Sequence, residues 1–573
     1  MKSYSVVAAN YAAGLDTTSG AENLAPEALT VAQNVRYSQK GGVYTRNGIE
    51  AKAAGIGSSA KIDTIHTHEP YDVMFMKSGT KIYQSLDGIT WYDIGVTRTA
   101  SERDFFFSYG KDVFVTNKTD AFLRIAVSTL TNAITTGSTE IDVRAGDGGS
   151  FTNGAAVIYI QGDEINYTAI STDQLTTVTN IAASHAAGTI ITQTSTPAGA
   201  PKGTCIAELE GSLLVGGVSA NPSALYYSAP STLADPQFAY DFTGNGAGVK
   251  LLPVDIVGLG QVTGGVLIAL KKGIHYADQF ELDTGGLITR PLSSHGASNA
   301  FCFAQGDKKT YCLTNTNRVL VIIADADGVR VVDDTMNDRN NFDYPMRAFL
   351  NTLDEDQSLS FSHYDPATAE VISSVIENGI SQELVFNEDL GKWSIDIGKP
   401  VSCRTNFKKR VYAGSDNTDT VYLDNEGTTD DTLPILHRIV TPIYTADDKR
   451  LSSEYLKFTF GGLLSGVGVV TLRMYVGGVL QEPVEITAEA LQAKGLMSLA
   501  AGVPIGSGTV GPQTVGSSGS TPTAYPFTFP YEILYSGETF QAEWEIFDEG
   551  TSFELRDSRL DAETSGELYL DSF

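Results

Sequence analysis

The stretch "IDTIHTHEPYDVMFMKSGTKIYQSLDGITWYDIG" (residues 62–95) decides the fold. It contains four short apolar runs, and the polar segments "HEPYD", "KSGT" and "LDGI" separate them. Runs rich in β-branched and aromatic residues, bounded by Gly, Asp and Ser, are typical of strands joined by tight turns. The stretch therefore predicts a small antiparallel sheet of four strands.

The same alternation of apolar strand and polar turn recurs along most of the chain. It returns at 104–126, 205–229, 256–280, 300–332, 358–398 and 402–425. A sheet of three or four strands cannot cover its own apolar faces, whereas stacking such sheets around an axis buries the faces and protects the edges. We therefore predict an all-β fold, a β-propeller of about seven blades. Stacked β-sandwiches are the alternative.

Two segments interrupt this rhythm. Residues 127–196 contain five short strand patterns, which predict a small β-barrel or β-sandwich inserted into the propeller. Residues after 430 predict a C-terminal β-rich domain with a long Gly/Ser/Thr/Pro loop at 502–530. The predicted organisation is an N-terminal arm and entry hairpin (1–60), the first part of the propeller (61–126), the inserted domain (127–196), the second part of the propeller (197–429) and the C-terminal domain (430–573).

The charge balance limits the classes of function. The 573 residues include 39 Lys and Arg against 68 Asp and Glu, a net charge of −29. Such a surface repels nucleic acid, so a basic DNA-reading protein is excluded. The four cysteines form no CxxC pair, which predicts free thiols rather than a zinc site or a disulfide scaffold. The N-terminus "MKSYSVVAANYAAGLD" has one Lys and no sustained apolar core, so we expect no signal peptide. No apolar run reaches about 18 residues, so we expect no membrane span.

Motifs that would indicate catalysis are missing from the sequence. His66 and His68 form an H-x-H pair, but no third ligand is obvious nearby. The sequence contains no GxSxG, no P-loop and no HExxH. Paired carboxylates are plentiful only because the chain is acidic, so they carry no signal. We expect no metal, no cofactor and no enzymatic activity.

Two stretches predict structural blade turns. "SLDGITW" (85–91) resembles the Asp-box turn of sialidase-type propellers, although it is one residue shorter. The resemblance implies that Asp87 hydrogen-bonds the turn and that Trp91 packs under the blade. "FNEDLGKW" (386–393) looks like the same kind of turn, with Trp393 as its anchor.

A stretch near the start carries a family resemblance. "GLDTTSGAENLAPEALTVAQNVRYSQKGGVYTRNGIE" (14–50) resembles the N-terminal signature of tail proteins from short-tailed bacteriophages, the propeller-bearing nozzle proteins also called tail tubular protein B. The family usually has Pro where this chain has Asn47. Residues 206–230, with "NPS" and "YYS", resemble a blade of the same proteins, and the insert around "IYI" (158–160) resembles a small β-domain of many phage tail proteins. The matched positions of the first stretch are Gly14, Leu15, Asp16, Pro26, Ala32, Asn34, Val35, Gly41, Gly42, Arg46 and Gly48.

This resemblance implies a structural protein of the virion tail, assembled in the host cytoplasm. It implies a homohexameric ring on a tail adaptor or tube protein, with an axial channel for DNA retention and ejection. DNA would pass without specific binding, and tail fibres would contact the inserted domain. The alternatives are a receptor- or carbohydrate-binding propeller at the tail tip and a glycan hydrolase built on a propeller.

Within the matched stretch, we interpret five residues as a structural latch rather than a reactive site. Gly41 and Gly42 are expected to form a hairpin that leads into the first blade. Asn34 is expected to hydrogen-bond turn backbone, a role that its short amide fills well. Arg46, followed by Gly48, is expected to bind a carboxylate or backbone carbonyls near the closure of the propeller.

Overall fold

The computed structural model describes residues 2–8, 10–53, 56–230, 240–281, 286–306, 309–325, 328–332, 341–445, 457–465, 468–494, 496, 525–532, 539–547 and 551–564. The regular structure in these ranges is almost entirely β-strand. The described helices are the short α-helices Arg347–Leu350 and Ala488–Ala493 and the 3-10 turns Ala21–Asn23, Glu69–Tyr71, Gly148–Ser150 and Tyr344–Met346. None of these helices has the length and apolar character needed to cross a bilayer.

The described residues contain seven consecutive antiparallel sheets, each built on four strands. We number them as blades 1 to 7 and give their strands from the innermost outward. Blade 1 contains Ile62–His68, Val73–Ser78, Lys81–Ser85 and Tyr92–Thr97; blade 2 contains Phe105–Tyr109, Asp112–Thr116, Leu123–Thr129 and Ile190–Ser195; blade 3 contains Cys205–Leu209, Ser212–Gly216, Ala224–Tyr227 and Gly248–Leu251. Blade 4 contains Ile256–Val262, Gly265–Leu270, Ile274–Ala277 and Arg290–Ser293; blade 5 contains Phe303–Gln305, Lys309–Leu313, Val319–Asp325 and Gly328–Val332. Blade 6 contains Ser362–Asp365, Glu370–Glu377, Ile380–Asn387 and Lys392–Ile397; blade 7 contains Val401–Phe407, Arg410–Ser415, Val421–Asp424 and Ile49–Ala53.

The seven blades close into a ring. The innermost strand of each blade contacts the innermost strand of the next, and the strand Val401–Phe407 of blade 7 packs beside Ile62–His68 of blade 1. Apolar side chains that alternate along the strands fill the spaces between blades; Phe75 of blade 1, for example, shares a core with Val113 and Ile125 of blade 2. The chain is a seven-bladed β-propeller, and the predicted fold class is confirmed.

The last blade borrows its outer strand from the start of the chain. Ile49–Ala53 pairs antiparallel with Val421–Asp424, and only then does the chain enter blade 1. The hairpin Val35–Tyr37/Val43–Thr45 exists, but it does not lead directly into the first blade as predicted. The physical reason is ring closure, because pairing the first and last strands of a ring removes the free edge that each would otherwise expose.

The inserted domain interrupts blade 2 between its third and fourth strands. Ala156–Ile160 and Asp163–Tyr167 extend the sheet of blade 2 through the strand Ile190–Ser195. A second sheet of three short strands (Glu140–Asp142, Ala169–Ser171 and Gln174–Thr176) packs with them on a shared apolar core. Since Ile190–Ser195 is also the outer strand of blade 2, the predicted boundary at 196 falls after a strand that belongs to both units.

The C-terminal residues form a β-sandwich that includes much of the N-terminus. One sheet has the strand order Tyr525–Glu532, Lys457–Ser465, Ser552–Thr564, Val43–Thr45, Val35–Tyr37, with Lys2–Ala8 also paired to Ser552–Thr564. The other continues the sheet of blade 6 outward through Val31–Gln33, Leu436–Val440, Thr539–Phe547, Val470–Val476 and Val479–Leu480, with Tyr444–Thr445 and Val484–Ile486 on its margin. Trp544 and Phe458, both fully buried, meet between the two sheets. The remaining short strands are Gly14–Leu15, Ala28–Leu29, Thr429–Asp430 and Leu433–Pro434.

Two predicted boundaries therefore need correction. Residues 1–60 are not a separate arm, because their strands complete blade 7 and both sheets of the sandwich. The predicted loop 502–530 is also too long, since Tyr525–Glu532 is a strand at the margin of its sheet. Its prolines are compatible with that place because an edge strand can lack a donor to the ladder. Residues 502–524 of that prediction lie outside the described residues.

Candidate functional site

The stretch around Asn34 lies where blade 6, blade 7 and the sandwich meet. Asn34 adopts a left-handed backbone conformation (φ 54°), which Asn tolerates better than most residues. Its Oδ1 accepts hydrogen bonds from Arg46 Nε (3.1 Å) and from the backbone N–H of Ile397 in blade 6 (2.8 Å). Its Nδ2 donates to the carbonyl of Leu436 in the sandwich (2.8 Å), and its own carbonyl accepts from His437 Nδ1 (2.6 Å). The side chain of Asn34 thus connects Arg46, blade 6 and the sandwich.

Arg46 connects this point to the closure of blade 7. Its guanidinium donates to Asp430 (2.9 Å) and to the carbonyl of Asn47 (2.8 Å). Asp430 belongs to the strand that runs parallel to Ile49–Ala53, so the contact lies beside the borrowed strand. Arg46 Nε is also 3.5 Å from Asp396 of blade 6. Neither the Arg46 side chain nor that of Asp396 is exposed to solvent.

Arg46 is one member of a buried ionic network, which we call the closure junction. Arg36 makes a two-point contact with Asp396 (2.8 and 2.7 Å) and also binds Glu370 (2.8 Å). Lys399 lies 3.2 Å from Asp396 and 3.1 Å from Asp424, and Arg404 binds Asp424 at 2.7 Å. The ionic members are Arg36, Arg46, Lys399, Arg404, Glu370, Glu383, Asp396, Asp424 and Asp430.

The charges within the closure junction stabilise each other. Burial alone would raise the pKa of Asp396, but Arg36, Lys399 and Arg46 hold it well below its usual range. Asp424 behaves in the same way: burial opposes its charge, and Lys399 and Arg404 lower its pKa. His437, also buried, has its pKa lowered to about 4 chiefly by that burial. Asp396 and Asp424 are therefore charged and His437 is neutral at neutral pH, and the network is a compensated structural element.

At each of the three glycines of the stretch, another part of the chain lies too close to leave room for a side chain. The most demanding is Gly48, because a Cβ there would lie 1.9 Å from the carbonyl oxygen of Thr429. A Cβ at Gly41, where φ is +84°, would lie 2.6 Å from Asn10, and one at Gly42 would lie 2.5 Å from Glu554. The hairpin is thus pressed against other parts of the chain on both sides, in agreement with a role in assembly of the fold.

The two blade turns are held by local contacts. The Asp87 carboxylate accepts hydrogen bonds from the backbone N–H groups of Ile89 (2.8 Å) and Thr90 (2.7 Å). Trp91 donates from Nε1 to the carbonyl of Gly88 (3.3 Å) and packs on the core between blades 1 and 7. In blade 6, Trp393 is buried against Phe342 and Phe386. None of these side chains faces a cavity on the propeller axis.

A cavity of about 350 Å³ lies on the propeller axis and is lined by the innermost strands of the blades. Its polar lining includes Arg103, Arg404, His66 and His363. Arg103 reaches across the axis: it donates to the carbonyls of Asp63 (3.1 Å), Ser360 (3.2 Å) and Ser402 (3.1 Å), at the start of the inner strands of blades 1, 6 and 7. No sequence pattern indicates this site, because its residues are scattered over the inner strands of different blades.

The two histidines of the H-x-H pair contact the same hydroxyl group. His66 Nε2 and His68 Nδ1 share the hydroxyl of Ser108, at 2.7 and 3.0 Å. Among the described residues, no group of three or more His, Cys, Asp or Glu side chains is placed to hold a metal ion. The four cysteines are buried free thiols.

Comparisons with known proteins give little beyond this geometry. No protein-family model matches the chain, and no curated protein matches it. Similar solved structures include the computationally designed Ika8 protein (11% identity, 65% of this chain and 99% of that chain, TM-score 0.34), Sqt1 of Saccharomyces cerevisiae (11%, 66% and 98%, TM-score 0.33) and YCF48 bound to D1 peptide (10%, 68% and 98%, TM-score 0.33). At such TM-scores these likenesses carry no argument, and the fold assignment here depends on the strand pairing.

Proposed function

We propose that this chain is a structural component of the tail of a short-tailed bacteriophage, forming an oligomeric ring around a channel for DNA. The observation that carries the proposal is the place of the phage-tail-like stretch. Residues 31–48 run through the closure junction, where the propeller and the sandwich are joined by buried charges. Buried charges that join two parts of one chain suit a building block that has to keep its shape under load, as a part of a particle does.

The charge of the chain supports the same proposal. Affinity for DNA comes mainly from Lys and Arg side chains that neutralise phosphates. A chain with net charge −29 repels the duplex, so DNA would move past it without specific binding. The proposed partners are further copies of this chain in a hexamer, a tail adaptor or tube protein, and tail fibres at the inserted domain.

The axial cavity bears on the hydrolase alternative. Glycoside hydrolysis generally uses a pair of carboxylates on either side of the scissile bond. The described residues that line the axial cavity include no Asp or Glu. This cavity therefore does not suit that chemistry, and we rank the hydrolase below the tail protein and below the receptor-binding propeller.

The proposal is tested by mass and by location. Native mass spectrometry of the purified chain, alone and with its adaptor, is expected to show six copies of the 61.1 kDa chain. Antibodies against the chain are expected to label the tail of virions produced from the genome that encodes it. The proposal would be overturned if the virions did not contain the chain. It would also be overturned if the chain stayed monomeric when it was mixed with each tail protein of those virions.

A further inference from the structure

The axial cavity has a charge opposite to that of the protein as a whole. The chain carries 68 acidic and 39 basic residues. Nevertheless, the described residues around the cavity include two arginines and two histidines and no carboxylate. Its volume, about 350 Å³, lies within the range of small-molecule pockets. A pocket that excludes carboxylates in so acidic a chain favours an anionic ligand.

The two arginines differ in how their charge is compensated. The charge of Arg404 is neutralised by ion pairs with Glu383 (2.9 Å) and Asp424 (2.7 Å), which belong to the closure junction. Among the described residues, Arg103 donates only to the three backbone carbonyls, and no carboxylate lies within ion-pair distance of it. Burial lowers the pKa of Arg103 to about 10, so the group is still protonated at neutral pH. A guanidinium has five N–H groups, so two remain for a ligand.

Besides the charge of Arg103, the cavity offers a ligand several aromatic rings. The Arg103 guanidinium carbon lies 3.6 Å from the centroid of the Phe301 ring, so one face of the cation is already stacked. Phe105, Phe107 and Phe303 also line the cavity. These walls suit a flat apolar group but offer it no charge. Burial lowers the pKa of His363 to about 4, so at neutral pH it contributes a neutral imidazole.

We propose that the axial cavity binds a small organic oxyanion, a carboxylate carried on a flat apolar body. Its oxygens accept hydrogen bonds from the two remaining N–H groups of Arg103, and its body packs among the phenylalanine rings. The site belongs to a single chain, so it does not depend on ring formation or on the proposed role in a phage tail.

Calorimetric titration of the full-length chain with benzoate tests the proposal. Benzyl alcohol, which has the same ring without the charge, and inorganic phosphate, which has the charge without the ring, are titrated in parallel. We expect benzoate to bind about tenfold or more tightly than benzyl alcohol, because a charge-assisted hydrogen bond is lost with the alcohol. Equal binding of the two, or no binding of benzoate at millimolar concentration, would overturn the proposal. Phosphate binding as tight as that of benzoate would overturn the role of the apolar body.

Two variants locate the site. Arg103→Met is expected to weaken benzoate binding about tenfold or more, whereas Arg410→Met, which removes an exposed arginine of blade 7, should leave it unchanged. If Arg103→Met does not fold, histidine NMR of the wild-type chain provides the answer. Benzoate should then shift the resonances of His66 and His363, which line the cavity, and not that of His185 in the inserted domain. Unchanged binding by folded Arg103→Met, or shifts at His185 alone, would contradict the proposed site.

Discussion

The turn around Asp87 and the closure junction around Asn34 stabilise the same propeller in opposite ways. The turn is held by contacts that span two or three residues, and its carboxylate is exposed. The closure junction includes contacts between residues 360 or more positions apart, such as Arg36 to Asp396 and Arg46 to Asp430, and its charges are buried. Local contacts form wherever the turn forms, whereas the junction exists only when the ring is closed. We therefore expect damage to the junction to be far more costly.

Removing a charge from the closure junction should have the largest effect. Arg46→Met leaves Asp430 and Asp396 buried with less compensation, and we expect a loss of about 3–5 kcal/mol in the free energy of unfolding. Urea unfolding followed by tryptophan fluorescence measures it. Lys81→Met is the matched control, since the Lys81–Asp93 pair lies at the surface, with Lys81 exposed and Asp93 partly so, and should contribute at most about 1 kcal/mol. Similar losses in the two variants would show that burial of the junction does not decide stability.

The pH dependence of stability should reveal the buried histidine of the junction. The pKa of His437 is about 4 in the folded chain, below its ordinary value of 6.5. Below pH 6.5 the unfolded chain therefore binds more protons at this histidine than the folded chain does. The contribution of His437 to the free energy of unfolding is thus fully present above pH 6.5 and is lost as the pH falls towards 4. The loss from this group is about 3 kcal/mol. The urea midpoint should fall over this interval, and less so in His437→Gln; identical profiles would refute the assignment.

Closing the space at Gly48 should have an intermediate effect. The Cβ of Gly48→Ala would overlap the carbonyl oxygen of Thr429, so the borrowed strand must move, at a cost of about 1–3 kcal/mol. Thermal unfolding measures the effect. Gly137→Ala is the control, because a Cβ at Gly137 meets no atom within 4 Å. A Gly48→Ala chain as stable as the control would mean that the approach of Thr429 is not needed for closure.

The smallest effect is expected at the turn of blade 1. Asp87→Ala removes the acceptor of two backbone N–H groups, and we expect a loss of about 1 kcal/mol. Asp87→Asn keeps an acceptor oxygen and should lose less than half of that amount, measured by the same urea titration. A loss at Asp87 that equals the loss at Arg46 would remove the distinction between local and long-range stabilisation.

Prediction from sequence succeeded where neighbours in the chain decide the structure. The turn signals of residues 62–95 give the four strands of blade 1, and the alternation of "AVIYI" gives the strand Ala156–Ile160 of the insert. It failed where distant segments pair. Nothing in residues 1–60 indicates that Ile49–Ala53 completes blade 7 or that Lys2–Ala8 joins the sandwich. Similarly, the sequence pattern identifies Asn34 and Arg46 as structural residues, but it does not identify Asp396 and Asp430 as the carboxylates that Arg46 contacts.

The sequence by itself determined the all-β class, the repeat of small sheets, the insert and the acidic surface, because each follows from patterns within a few tens of residues or from composition. The tertiary structure alone decided which strand closes the ring, which carboxylates meet Arg36 and Arg46, and that the axis carries a cation without a carboxylate partner among the described residues. These features depend on contacts between residues hundreds of positions apart. Burial then fixes their charges, and burial is a property of the closed ring rather than of any segment.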